Sequence, residues 1–351
     1  MSSQYERVPA RRELTVVSAD GTRIHVEEYG RPDGPTVVLS HGWTCSILFW
    51  APVVRALAAD HRVIAYDQRG HGRSGSPATR KGYGTGLLAD DLEAVLKATV
   101  PDGQHAVLAG HSMGGMTIMA ASGRASVRNR TAAVLLASTG SGRLLGSTQV
   151  LPPRFSSRRL RRFLHRQLLV SRLPLGPVTP LSKAALKYGV LAKGASPEQV
   201  AFTARIVHAC RASRRSAWGR VLAVLDLDAE LAALVAPTAV LVGTADKLTP
   251  KKHAYEMVDA LPNCLGLHEL PGLGHMTPIE DAPAVTAVIR QLVADHLTVR
   301  EEGLRMPAQR TQDRSSTKAE HTAATTGITG AGDVNMTDAT VTRATGEEKS
   351  A

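Results

Sequence analysis

Val107-Leu108-Ala109-Gly110-His111-Ser112-Met113-Gly114-Gly115-Met116 carries an apolar run with strand character into a serine flanked by glycines, and a helix-forming run follows. A turn this sharp brings neighbouring backbone segments close. Gly110 and Gly114 leave room that a Cβ would fill. The turn holds the Ser112 hydroxyl out at the C-terminal edge of a sheet, with the Met113 amide aimed at the same space. In a chain with 31 glycines the bare match would carry little weight. The strand before it and the helix after it give it meaning.

The sheet that this turn needs is visible along the chain. Glu13–Ser18 and Thr22–Tyr29 read as strands joined by Ala19-Asp20-Gly21, a hairpin signal. Thr36–Ser40, Val63–Tyr66, Ala132–Ala137, Thr238–Gly243 and Gly266–Leu270 read as further strands. Helical patterns fall at Ser46–Ala59, Thr85–Thr99 and Met113–Ser122. Strands alternating with helices predict an α/β fold, a mostly parallel sheet with helices on both faces.

A nucleophilic serine needs a base, and the base needs an orienting acid. Asp246 lies in Thr244-Ala245-Asp246-Lys247-Leu248-Thr249-Pro250, just past one strand, and His275 lies in the glycine-rich loop Pro271–Met276, past the next. The order Ser112, Asp246, His275 is that of an α/β-hydrolase. Asp226 and Asp228 compete for the acid role but fall outside the strand–loop pattern, and Ser138-Thr139-Gly140-Ser141, after another strand, supplies no acid.

These residues resemble the α/β-hydrolase superfamily, in its capped serine-hydrolase branch of esterase-like and lipase-like enzymes. The resemblance runs from about Leu14 to His296, apart from the middle of the chain. It implies an α/β-hydrolase fold with a helical cap insertion. The His41-Gly42-Trp43 turn resembles the family's oxyanion loop, so the Trp43 and Met113 amides are the expected donors. Such donors are worth ~2.7–4 kcal/mol each. Asp67-Gln68-Arg69-Gly70-His71-Gly72-Arg73-Ser74 looks like a family turn whose role is architectural. His41 and His111 are expected to shape the turns beside the site, and Trp50 to lie in the core. Relatives that use an aspartate nucleophile are disfavoured by serine at position 112.

Residues 1–138 and 236–300 are assigned to the core and 139–235 to the cap. Within the cap, Ser157 to Val170 alternates Leu160, Phe163, Leu164 and Leu168 with a band of arginines, an amphipathic helix. Ser196-Pro197-Glu198-Gln199 carries capping signals for another, to about Cys210. Leu144, Leu145, Phe155, Phe163 and Trp218 are the candidates for lining a pocket under the cap. Between Arg154 and Arg220 fifteen Lys and Arg face one acid, Glu198, a charge of +14, so the rest of the chain carries −3 of the total of +11. The plain expectation turns the apolar stripe toward the core, roofing the pocket, with the arginines in water. The sharper one lets the basic cap make weak peripheral contact with an anionic membrane or attract an anionic substrate.

Residues 301–351 are expected to be disordered, since 311–351 hold ten threonines and no aromatic residue. Hydrophobic content of 43% suffices for a core, and three cysteines suggest no disulfide framework. Met1–Arg12 has no apolar signal-peptide region and no run spans a bilayer, so a cytoplasmic location is expected. No H-E-x-x-H or C-x-x-C occurs, so neither metal nor cofactor is expected, and nucleic acid is not an expected partner. The expected activity is cleavage of an ester or related acyl bond in an apolar small molecule, through an acyl-enzyme. C–C bond hydrolysis, thioester hydrolysis and cofactor-free perhydrolysis suit the same site. A slow-turnover receptor for a small molecule is the alternative of another class.

Overall fold

The protein is represented by a computed structural model, and the structure describes residues 3–151 and 157–298. Eight strands form one sheet in the order β1-β2-β4-β3-β5-β6-β7-β8. They are β1 (Arg12–Val17), β2 (Arg23–Gly30), β3 (Thr36–Ser40), β4 (Arg62–Tyr66), β5 (Ala106–His111), β6 (Thr131–Ala137), β7 (Thr238–Gly243) and β8 (Cys264–Leu270). The β1–β2 and β2–β4 pairs are antiparallel, and every pair from β4 to β8 is parallel.

Strands β3, β5, β6 and β7 are buried along their whole length, which is why they read as unbroken apolar runs. Alternate residues feed two separate cores. Val37, Val107, Ala133 and Leu241 pack with α1 (Ala51–Leu57) and a C-terminal helix, while Val38, Leu108, Val134 and Val240 pack with α2 (Thr85–Thr99) and α3 (Met113–Ala121). Trp50 is fully buried in the first core. Short α4 (Ala125–Arg128) leads into β6.

Between β6 and β7 come α5 (Leu144–Ser147), α6 (Arg158–Val170), α7 (Pro180–Val190), α8 (Pro197–Ala209), α9 (Ala212–Leu222) and α10 (Asp228–Ala232). Among the described residues this stretch has no strand, only an isolated bridge from Gly142 to Asp226. The predicted cap holds: Ser196 and Gln199 form a capping box opening α8. The Ser157 hydroxyl also accepts the Leu160 amide at the start of α6. The apolar stripe of α6 does not turn to the core as expected, although Leu168 reaches the cavity beneath this stretch. Leu160, Phe163, Leu164 and Leu168 are exposed, and its covered residues are His165 and Val170. Helix α9 decides which face is covered, because Gly219 lets it approach the Leu169 carbonyl so closely that a Cβ there would sit 1.9 Å from that oxygen.

After β7 come α11 (Lys251–Ala260), then β8, α12 (Thr277–Glu280) and α13 (Ala282–Val293). The segment 301–351 and Phe155 lie outside the described residues. Among those described, no helix is long and apolar enough to cross a membrane.

Candidate active site

The chain leaves β3 toward β4 on one side and leaves β5 toward β6 on the other, although β3 and β5 are hydrogen-bonded neighbours. Such a reversal opens a crevice beyond the C-terminal strand ends. The loop carrying Trp43 and the turn carrying Ser112 follow those two strands.

Ser112 has a φ of 52°, a left-handed conformation that strains a residue with a side chain by roughly 1–3 kcal/mol. Its surroundings hold it there. Its amide donates to the Ala137 carbonyl at 3.0 Å, and its own carbonyl accepts the Gly115 amide at 2.9 Å and the Thr139 hydroxyl at 2.7 Å. The flanking glycines are required by contact: a Cβ on Gly114 would lie 2.0 Å from the Ser40 carbonyl oxygen, and one on Gly110 would lie 2.6 Å from the Gly114 backbone. Thr44 (φ 65°) and Ser138 (φ 47°) adopt the same uncommon region, each just beyond a neighbouring strand end. Among the described residues, neither the Trp43 nor the Met113 amide has a backbone acceptor.

Asp246 and His275 meet although 29 residues separate them. His275 Nδ1 lies 2.8 Å from Asp246 Oδ2, and both residues are buried. That contact assigns the proton to Nδ1 and leaves Nε2 as the ring's lone-pair nitrogen. The carboxylate is itself held. Oδ1 accepts the Leu248 and Thr249 amides at 2.8 and 3.0 Å, and Oδ2 accepts the Thr249 hydroxyl at 2.9 Å. Asp226 and Asp228 are engaged elsewhere: Asp226 accepts the Asp228 amide, and Asp228 takes Ser141 and Arg143.

Two residues of the site carry no motif and were missed in the sequence. Thr249 is one; it follows Leu248, whose amide closes an Asx turn on Asp246, and that turn is the signal that could have found it. Glu280 is the other. Its carboxylate accepts the Gly274 and Met276 amides on either side of His275, each at 3.1 Å, and the Ala192 amide of the insertion at 2.7 Å. Burial raises its pKa, with those three amides acting against the rise. No local pattern announces it.

His41, His71 and His111 serve as neutral hydrogen-bonding pieces. His41 Nε2 accepts the Gln68 amide at 3.0 Å and His71 Nε2 accepts the Thr44 amide at 3.2 Å, roles that only an unprotonated nitrogen can fill. Burial pushes the pKa of His41 down to about 4 and that of His71 down to about 3. His111 Nε2 donates to the His275 carbonyl at 2.8 Å, and burial, with His275 beside it, holds its pKa well below the ordinary value. Asp67 braces the loops from beneath, accepting the Ile47 and Arg73 amides at 2.8 Å each. Arg69 is fully buried between Asp91 and Asp20.

Ser112 and His275 line one cavity of about 410 Å³, together with Trp43, Leu144, Leu145 and other apolar side chains of the insertion. Phe163 and Trp218 do not line it. Phe163 points to solvent, and Trp218 is fully buried, its indole donating to the Arg69 carbonyl at 2.9 Å. The insertion is tied to the loops of the site themselves. His275 donates its amide to Val190 at 2.9 Å, Gln149 to Lys247 at 2.7 Å, and the Trp43 indole to Arg215 at 3.1 Å. Among the described residues one group could bring three metal-ligating atoms within 4.8 Å of one another, Glu13, His25 and Glu27, but Arg7 and Arg73 already pair with its carboxylates.

Residues 37–288 match the alpha/beta hydrolase family. The chain belongs to that family. RutD of Variovorax paradoxus is 32% identical over 280 residues, 78% of this chain and 96% of RutD. EphD of Mycobacterium tuberculosis is 42% identical over 113 residues, 32% of this chain but only 19% of EphD. The esterase RhEst1 of Rhodococcus sp. ECU1013 superimposes with a TM-score of 0.61 at 25% identity, covering 80% of this chain and 98% of RhEst1. The names of these three refer to a carbamate hydrolase, an oxidoreductase and an esterase. Membership in the alpha/beta hydrolase family therefore fixes the scaffold and leaves the reaction to be argued from the site.

Proposed function

We propose that the chain is a serine hydrolase that cleaves a carboxylic ester or a related acyl bond. The observation that carries this reading is the 2.8 Å contact between His275 Nδ1 and Asp246 Oδ2 beside an apolar cavity that Ser112 also lines. With Nδ1 protonated, Nε2 takes the Ser112 proton as the hydroxyl oxygen attacks the substrate carbonyl. Asp246 stabilises the imidazolium that results. The Trp43 and Met113 amides receive the developing oxyanion. His275 then returns the proton to the departing alcohol, and water completes the cycle by hydrolysing the acyl-enzyme. A cavity walled by leucines favours an apolar acyl group, and the esterase name of RhEst1 supports an ester as the bond.

The test is turnover of p-nitrophenyl esters of increasing chain length by the parent and by Ser112→Ala. The parent should turn over repeatedly and label with a fluorophosphonate, and the variant should do neither while keeping its melting temperature. Persistent labelling of the variant would sink Ser112 as the nucleophile.

A further inference from the structure

Helix α6 exposes what a helix of this kind ordinarily hides. Leu160 is 47% exposed, Phe163 53% and Leu168 58%, and the segment after the helix adds Leu173 at 75%. Single exposed leucines need no explanation, but a contiguous apolar group does. Arg159, Arg162 and Arg166 are exposed on the same helix. The one acid between residues 154 and 220, Glu198, accepts a hydrogen bond from Ser3, so these arginines have no carboxylate close by in sequence to neutralise them.

We propose that this face docks on an anionic lipid bilayer. Helix α6 lies in the interface plane, with Phe163 and the leucines at the acyl boundary and the arginines on lipid phosphates. An amphipathic helix with a basic polar face and Leu and Phe on the other binds in this way. A second copy of this chain fits the face poorly, since a two-fold contact would set the same basic patch against itself. A nucleic acid would meet the arginines and leave the apolar side chains without a partner.

The face also borders the cavity. Leu168 and Leu175 are exposed and belong to the cavity wall. Docking therefore turns the mouth of the cavity toward the bilayer, and a long-chain lipid ester is the substrate class that reaches Ser112 from there. This second half rests on the serine-hydrolase reading; the docking does not.

The experiment is co-sedimentation of the full chain with vesicles of phosphatidylcholine containing phosphatidylglycerol, compared with phosphatidylcholine alone. The parent and Ser112→Ala should bind the anionic vesicles equally, bind neutral ones poorly, and release as salt shortens the ~8 Å screening length. Joint replacement of Arg159, Arg162 and Arg166 by Gln should weaken binding about 100-fold, from the usual contribution of each charge near such a surface. Leu160→Ser with Phe163→Ser, at unchanged charge, should also weaken it. Both variants should keep the parent's turnover of p-nitrophenyl acetate in solution. No binding by the parent would overturn docking, as would an apolar double variant that binds like the parent. So would a dimer in light scattering that Leu160→Ser with Phe163→Ser dissolves, because that result assigns the face to a second copy. Binding without any ester turnover would instead overturn the serine-hydrolase reading and leave docking standing.

Discussion

His275 is placed by its neighbours rather than by its own loop. Its ring answers to Asp246, its carbonyl to His111, and its amide to Val190. Glu280 holds the amides on both sides of it. Loss of the orienting carboxylate favours the wrong tautomer, so Asp246→Asn should lower kcat by about 10⁴, as in a related triad. Asp226→Asn and Asp228→Asn, measured beside it, should stay near the parent; equal losses in all three would remove Asp246 from the acid role. Glu280→Gln tests the support that this carboxylate gives the backbone on both sides of His275. It keeps one oxygen acceptor but turns its amide NH2 toward at least one backbone N–H, leaving a buried donor unmet at about 1–3 kcal/mol. We expect a lower melting temperature and a fall in kcat with a smaller change in KM, read from steady-state kinetics on a short ester. An unchanged kcat would show that Val190 and His111 suffice to seat the imidazole. The triad candidates were legible because each follows a strand in a recognisable loop. Glu280 was not, since its partners lie at 192, 274 and 276 and nothing near it in sequence predicts the meeting.

At the scale of elements, legibility follows burial. Strands buried on both faces write themselves as apolar runs, so β3, β5, β6 and β7 could be read directly. Helix α2 was legible from end to end. The amphipathic period of α6 revealed an apolar stripe but could not say what would cover it. The packing partner is decided by one atom-sized gap at Gly219, where α9 touches the Leu169 carbonyl. Gly219→Ala should therefore push the two helices apart, at an overpacking cost of about 1–3 kcal/mol. Hydrogen exchange should rise across 158–170 while the sheet stays protected. Turnover of long esters should fall more than that of acetate, because Leu168 and Leu169 belong to the cavity wall. Gly114→Ala is the contrast: its Cβ meets Ser40 at the centre of the sheet and should damage the whole fold. Gly123→Ala faces open space and should be close to neutral. If exchange at α6 were unchanged in Gly219→Ala, the helices would have another way to accommodate a methyl group.

For the molecule as a whole, the buried histidines set a dependence on pH. Burial lowers the pKa of His41 to about 4 and of His71 to about 3, and lowers those of His111, His165 and His253 as well. In the unfolded chain each imidazole returns to about 6.5. Below that value the unfolded state binds protons that the folded state refuses, so stability is full above it and drains away as pH falls toward the depressed folded values. Once its unfolded form is protonated, each such group costs about 1.4 kcal/mol per pH unit. Asp67, Asp91 and Glu280 work in the opposite sense. Burial raises their pKa values, so the folded state takes up their protons first and gains stability on acidification. The carboxylates lowered to about 2, Asp20, Asp60 and Glu93, come into play only below the ordinary carboxylate range. Between pH 6.5 and 5 we expect the five histidines, four of them at or beside the candidate site, to outweigh these three carboxyls. The melting temperature should be at least about 5 °C lower at pH 5 than at pH 7.5 in scanning calorimetry. His71→Gln, which keeps an acceptor for the Thr44 amide but cannot titrate, should be less stable than the parent at pH 7.5 yet lose fewer degrees on acidification. Equal melting temperatures at the two pH values would mean that Asp67, Asp91 and Glu280 offset the histidines in full or that these imidazoles accept protons in place, and the loss in His71→Gln relative to the parent separates the two.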